Sequence, residues 1–257
     1  MNFFKKISSG VAFKKTHPCK LYICKDEKEI GEKTSKIVIE QIVNKPNTVL
    51  GLATGSSPIP LYKELVKACK EKKVSFANVV SFNLDEYVNL DEKYFDQSYR
   101  NFMDVNLFNN VNILKSNTHF PSKQTVEQYD DEINKSGGID LQVLGLGVNG
   151  HIAFNEPGTP FNAKTHLVKI TDSTKQANAR FFDNKPENVP SAAITMGIKT
   201  IMSAKKIILI ATGKNKAEAI SKLFKNKYNP QWPVTALIYH PDVSIFVDYQ
   251  AASLIAQ

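Results

Sequence analysis

The sequence predicts an α/β fold: one domain built on an open, mostly parallel, Rossmann-like sheet with helices on both faces and a lid segment. Three observations predict it. The apolar runs TVLGLA (48–53), NVVSFN (78–83), LQVLGL (141–146) and KKIILIA (205–211) have strand length and no two-residue alternation, as strands buried on both faces do. Amphipathic stretches of helix length separate them, which is the β–α alternation of a parallel sheet. The runs give way to Gly, Pro and small polar residues, the punctuation of βα turns. The 257 residues contain no internal repeat and no low-complexity linker. We therefore read residues 1–20 as a basic extension and 21–257 as the single domain.

The elements follow in order. The first 20 residues carry five lysines and no acid, and their apolar centre, 11–13, is too short for a secretory signal. A short strand at 21–24 precedes Asp26 and Glu29, the D-x-x-E spacing of a capping box. The helix it opens is expected to run to about Val43, with Ile30, Thr34, Ile37, Val38 and Gln41 near one face. Strand 48–53 runs into Thr54-Gly55-Ser56-Ser57-Pro58 and the helix IPLYKELVKACK, with Ser57 the expected cap and Pro58 in the first turn. Strand 78–83 delivers Leu84-Asp85-Glu86-Tyr87. Residues 97–109 and 123–136 read as helices, the second stopped by Gly137-Gly138. After strand 141–146 comes VNGHIAFNEPG, then a strand at 166–170. The polar stretch TDSTKQANARFFDNKPENVPSA is helical in its first half and broken by Pro and Asn in its second; it carries Arg180 and reads as a lid. Strand 205–211 leads through Thr212-Gly213-Lys214-Asn215-Lys216 into the helix AEAISKLF. Late strands at 237–239 and 243–247 and a terminal helix capped by Asp248 complete the chain.

Composition narrows the function classes. Net charge is +8, but the lysines are dispersed, without the focused basic face or aromatic interleaving of a nucleic-acid binder. An anionic small molecule is the more economical partner. No apolar run approaches the ~20 residues of a membrane span. Cys19, Cys24 and Cys69 are odd in number and fit neither a zinc site nor a redox pair, as expected of reduced thiols in the cytoplasm. The five histidines show no i, i+4 pairing, so no metal site is expected. Monomer and homo-oligomer are equally compatible with the sequence.

In an open parallel sheet, ligands bind beyond the carboxyl ends of the strands. Loops 54–58, 84–87, 147–156 and 212–216 are all expected there. Gly145, Gly147 and Gly150 spell the dinucleotide fingerprint G-x-G-x-x-G, with Asp172 ~20 residues on. That motif needs a long helix starting inside it, and Pro157-Gly158 leave no room for one. The rim instead combines a phosphate-type loop before a helix N-terminus, a lysine at a second helix start, a lid arginine, Asp85 and the pair His151 and Glu156. This inventory suits proton transfer on a phosphorylated sugar.

The segments LGLATGSSP, FNLDEY, LGLGVNGHIAFNEPGTPF, QANARFF, AITMGI and ATGKNKAEAI make the chain resemble the glucosamine-6-phosphate deaminase (isomerising) family from about residue 21 to the end. The resemblance implies conversion of glucosamine 6-phosphate and water to fructose 6-phosphate and ammonia, without a cofactor. It gives Asp85 the role of the base that takes the C2 proton. His151 opens the ring, with Glu156 as its carboxylate partner. Thr54, Gly55, Ser56, Ser57, Arg180 and Lys216 bind the phosphate. Two positions depart from the family pattern: Gly-Ser-Ser stands where members tend to have Gly-Gly-Thr, and Asn149 stands where well-studied members have an aspartate. Asparagine can orient His151 but cannot take up a charge. A 6-phosphogluconolactonase-like hydrolase and a non-catalytic sugar-phosphate sensor remain as other readings. The residues after His151 point away from the first, and the second would bring a helix-turn-helix segment that the chain does not contain.

Some members of the family are hexamers activated by N-acetylglucosamine 6-phosphate, which is held by basic residues shortly after the histidine motif and by a longer C-terminal segment. Here the corresponding residues are His166 and Val168, and the chain ends at Gln257, so that anion site is expected to lack its cations. A ligand without differential affinity shifts no equilibrium. Initial rates against glucosamine 6-phosphate should therefore be hyperbolic and indifferent to the acetylated sugar phosphate. A sigmoidal curve straightened by that effector would contradict this.

Overall fold

The computed structural model describes residues 19–225 and 227–255. Most of the basic extension thus lies outside the described residues, and its last two residues, Cys19 and Lys20, open the first strand. In chain order the elements are β1 (Cys19–Cys24), α1 (Glu27–Asn44), β2 (Val49–Leu52), α2 (Ile59–Lys70), β3 (Val80–Asn83), β4 (Asp85–Val88), α3 (Tyr99–Asn106), β5 (Thr118–His119), α4 (Tyr129–Lys135), β6 (Leu141–Gly145), β7 (His166–Lys169), α5 (Asp172–Asn178), β8 (Ala192–Thr195), α6 (Ile198–Met202), β9 (Ile207–Ala211), α7 (Ala217–Leu223) and β10 (Val243–Asp248). Seven strands form one sheet in the order β1-β10-β9-β6-β2-β3-β5, and every pairing in it is parallel. No helix among the described residues is long and apolar enough to cross a membrane.

The apolar runs bury alternate residues on two faces. Val49, Phe82, Leu144, Ile207 and Leu209 pack with Ile133 of α4, Ile201 of α6 and Ile220 of α7. Leu50, Leu52, Val143, Ile208 and Ile210 pack with Ile30 and Val38 of α1, Leu61 and Leu65 of α2 and Met103 of α3. α1 begins as its capping spacing requires: the Glu29 N–H donates to Asp26 Oδ1 (2.8 Å), and the Glu29 carboxylate accepts from the Lys25 N–H. The strand order turns about β2 and β6. From β2 the chain moves outward through β3 to β5; from β6 it moves the other way through β9 to β10. The carboxyl ends of β9, β6, β2 and β3 are thus neighbours, and all four rim loops converge there.

The structure corrects several expectations. After Leu84 the chain does not remain a loop: Asp85 begins β4, which pairs antiparallel with β8, and β8 pairs with β7, making a second, three-stranded sheet. Ser57 does not cap α2. The Ile59 N–H donates to Ser56 O (3.2 Å), which winds the chain one residue early and puts Pro58 at the cap. The stretch 97–109 is shorter as a helix than expected: Ser98 caps α3 by accepting from the Asn101 N–H (3.1 Å), and 3-10 turns flank it. Only Tyr129–Lys135 is α-helical within 123–136. The expected strand at 237–239 is the end of a 3-10 helix, Pro233–Tyr239, whose first six residues are all buried. A short apolar run is compatible with either structure, and Pro233 at the start favours the helix. Asp248 caps a turn by accepting from the Ala251 N–H (2.7 Å); its other oxygen accepts from the Gly213 N–H (2.9 Å) and so holds loop 212–216.

At the opposite, amino end of β6, Asp140 fastens three segments. It accepts from Lys45 (2.6 Å), Lys205 (2.7 Å), the Thr48 hydroxyl (3.1 Å) and the Val49 N–H (2.9 Å). Burial pushes its carboxyl pKa up, but these four donors win and hold it down at about 2. A depressed carboxylate contributes stability above its unfolded pKa and loses it on acidification. Asp140→Ala should lower stability at pH 7 by about 2 kcal/mol. Urea midpoints of the two proteins should converge as pH falls from about 4 toward 2. Midpoints that stay equally far apart would count against this role.

Candidate active site

The four rim loops, α3 and the α5 segment enclose a cavity of about 1100 Å³. Thr54, Gly55, Ser56, Ser57, Asp85, Asn149, His151, Arg180 and Lys216 line it, so the residues singled out from four separate loops and the lid meet in one place. Glu156 is the exception. It lies behind His151, 8 % exposed.

Asp85 and Glu86 share a dipeptide but not an environment, because successive strand residues face opposite ways. Glu86 turns to the start of α3, where its carboxylate accepts from the N–H groups of Tyr99 (3.0 Å) and Arg100 (2.9 Å) and from that of Tyr87 (2.9 Å). Asp85 faces the cavity, and among the described residues nothing donates a hydrogen bond to its carboxylate. Burial, aided by the Glu86 charge, pushes its pKa up to about 8. Tyr87 and Tyr99 stand beside it on the cavity wall. Tyr87 also receives a hydrogen bond from Asn178 of α5 (3.0 Å).

Around His151 the polar groups form a directed chain. Thr174 Oγ1 donates to Glu156 Oε1 (2.5 Å), and Asn149 Nδ2 donates to Glu156 Oε2 (2.7 Å). A carboxylate accepts only, so it fixes the amide with its NH₂ toward Glu156 and its oxygen toward His151. That oxygen lies 2.7 Å from His151 Nδ1, which must then carry the proton, leaving the Nε2 lone pair as the ring's free acceptor. His151 Nδ1 is also 3.7 Å from Glu156 Oε2, a charge contact beyond hydrogen-bond length. Burial raises the Glu156 pKa; His151, Thr174 and Asn149 overcome it and hold the carboxyl at about 2. The imidazole lies flat over Gly147: a β-carbon there would overlap the ring atoms. Glycine at 147 is thus required by the ring rather than by the turn.

In the loop after β2, Gly55 adopts φ +92° with open space where a side chain would be, and Thr54, Ser56 and Ser57 flank it ahead of α2. Lys216 lines the same cavity. Burial lowers its pKa, and the nearby Arg180 charge lowers it further. Among the described residues no carboxylate pairs with either cation. Arg180 and Lys216 thus bring two positive charges together on the wall of a cavity that loop 54–57, ahead of α2, also lines, an arrangement suited to an anion.

The match to known sequences decides the family. The family model described as glucosamine-6-phosphate isomerases/6-phosphogluconolactonase matches residues 26–245. The chain belongs to this family. Within it, the chain is 50% identical to a glucosamine-6-phosphate deaminase of Thermoanaerobacter pseudethanolicus, across 92% of this chain and 95% of the relative. It is 50% identical to one of Mycoplasma mycoides subsp. mycoides SC, across 91% and 96%. The structure of a monomeric glucosamine-6-phosphate deaminase superposes with a TM-score of 0.87 at 38% identity, covering 91% of this chain and 99% of that one. A 6-phosphogluconolactonase from Thermotoga maritima superposes with a TM-score of 0.69 at 21% identity, covering 90% and 99%; it shares the fold.

Sequence reasoning missed several lining residues. Thr174, Asn178, Phe154 and Tyr99 reach the cavity from elements whose facing the sequence does not give. Trp232, the chain's one tryptophan, had a signal in its rarity but reads only as part of a turn; it packs against Gly150 and lines the cavity.

Asp85 also predicts a pH dependence of stability. A carboxyl whose pKa is raised from 3.8 to about 8 binds its proton more tightly when folded, so its stabilising contribution is complete below pH 3.8 and is lost as pH rises through 8. Relative to the wild type, Asp85→Asn should gain stability progressively between those limits and no further above them. Urea midpoints at pH 4, 6 and 9 measure this; a pH-independent difference would refute the burial of Asp85 as a neutral acid.

Proposed function

We propose that this protein converts glucosamine 6-phosphate and water to fructose 6-phosphate and ammonia, an amino-sugar-degrading step that hydrolyses a C–N bond. The observation that carries the reading is the placement of Asp85, Asn149 and His151, the last two backed by Glu156, on one cavity that is also lined by Arg180 and Lys216, neither of which pairs with a carboxylate among the described residues. The phosphate would sit between these cations and Thr54, Gly55, Ser56 and Ser57. With the substrate so fixed, His151 Nε2 takes the proton of the C1 hydroxyl and returns it to the ring oxygen, giving the open-chain aldehyde. Glu156 supports the imidazolium formed in passing. Asn149, being neutral, supplies orientation alone. Asp85 then removes the C2 proton while the aldehyde oxygen takes up a proton from solvent, and an enolamine forms. Protonation at C1 gives an imine at C2, and water adds there as ammonia leaves. Only the ionised form of Asp85 can take this proton, and the burial that disfavours the charge also makes that carboxylate a stronger base. Every step is a proton transfer or a water addition, and this chain's side chains and solvent suffice for them. The substrate is an anion that crosses no bilayer unaided, and with cysteines whose odd number and spacing suit reduced thiols this supports a cytoplasmic location.

The test is ammonia release from glucosamine 6-phosphate with fructose 6-phosphate as co-product, run beside 6-phosphogluconolactone. The amino sugar phosphate should turn over and the lactone should not. Asp85→Asn should bind substrate yet lose turnover by about 10²-fold or more, together with exchange of the C2 proton with solvent. Undiminished exchange in that variant would remove Asp85 from the reaction, and lactone turnover in place of deamination would overturn the reading as a whole.

A further inference from the structure

We propose that Thr174 is a positioning residue that joins the α5 segment to the histidine chain, its hydroxyl fixing the Glu156 carboxylate in the rotation that keeps Asn149 and His151 in line. The proposal rests on the reading above, in which Glu156 backs His151 during ring opening.

Both Glu156 oxygens are engaged, and from opposite sides: Oε2 by Asn149 on its own loop, Oε1 by Thr174 on α5. Thr174 is buried, and its proton is committed to the carboxylate because Thr171 Oγ1 donates to Thr174 Oγ1 (3.1 Å). Thr171 is the residue that caps α5, accepting from the Thr174 N–H (3.3 Å). The start of α5 is therefore pinned to the carboxylate. Its far end runs into the 3-10 turn Ala179–Phe181, which carries Arg180 to the cavity wall near Lys216, where the reading above seats the phosphate. One short segment thus touches the relay at one end and the anion site at the other. Contacts to the non-reacting phosphate can in this way hold the groups that act on the ring, the use of remote binding energy that raises kcat rather than affinity. Without the Thr174 hydroxyl, Oε1 loses its donor in a buried place. The carboxylate is then free to turn toward His151 Nδ1, 3.7 Å away, and to displace the Asn149 oxygen from it. The titratable group facing Glu156 is His151; Asn149 and Thr174 are neutral.

The test compares Thr174→Val, which keeps the shape and removes the donor, with Thr174→Ser, which keeps the donor. For each, kcat and KM for glucosamine 6-phosphate, the affinity for inorganic phosphate and the ¹³C titration of the Glu156 carboxyl (assigned with Glu156→Gln) are measured. Thr174→Val should lower kcat by about 10-fold, the loss of one hydrogen bond to a charged group. KM and phosphate affinity should stay within about 3-fold, and Glu156 should titrate at higher pH. Thr174→Ser should restore both kcat and the titration. Unchanged kcat in the valine variant, or a loss confined to KM and phosphate affinity, or a serine variant as impaired as the valine one, would overturn the proposal. An unshifted Glu156 titration in Thr174→Val would overturn it whatever the activity. A wild type that releases no ammonia would instead bring down the assigned reaction, and the titration would still decide whether Thr174 holds the carboxylate.

Discussion

The site depends on one constraint of the sheet: β2 and β6 lie side by side, and the chain leaves them in opposite directions. A crevice opens where the two halves part. The loops after β2 and β6 line it directly, and those after β3 and β9 close it from either side. The residues proposed to hold the anion come from the β2 and β9 loops together with Arg180 on the α5 side, while those proposed to transfer protons follow β3 and β6. Because each strand ends at the same rim, side chains far apart in sequence meet without any long loop having to fold back.

The buried carboxylates divide their tasks by neighbourhood. Asp85 is surrounded by aromatic rings and another acid, so its neutral form is favoured. Glu86 and Glu156 are supplied with donors, the first by backbone N–H groups at a helix start and the second by two side chains. Glu156 also explains how an amide can serve at position 149. Once the carboxylate has fixed the amide's orientation, its oxygen selects the histidine tautomer. An aspartate there would add a second charge to a place where Glu156 already supplies one.

Much of this was legible in the sequence. The buried runs gave the strands of the parallel sheet, because uninterrupted apolar character over strand length has few other uses, and Asp26 with Glu29 marked the first helix start. The rim residues were legible because glycines and polar groups directly follow those runs. What the sequence hid was where side chains point and which distant strands pair. β4 and β8 carry no pattern that separates them from loop, and their pairing places Asp85. The run 237–239 has the apolar character of a strand and the backbone of a 3-10 helix. Thr174 is one hydroxyl in a polar stretch, and only the packing of α5 against the loop of Glu156 distinguishes it.

Asp140 and Gly145 stand at opposite ends of a single five-residue strand and its flank. At one end a buried charge ties the scaffold together. At the other, glycines open the chain to solvent and ligand. The two ends share a backbone but no side-chain partner, so selection can act on them separately. A lineage adapting to heat could reinforce the lysine–aspartate clasp and leave the pocket's wording intact, and one shifting its substrate could rewrite the pocket over an unaltered foundation.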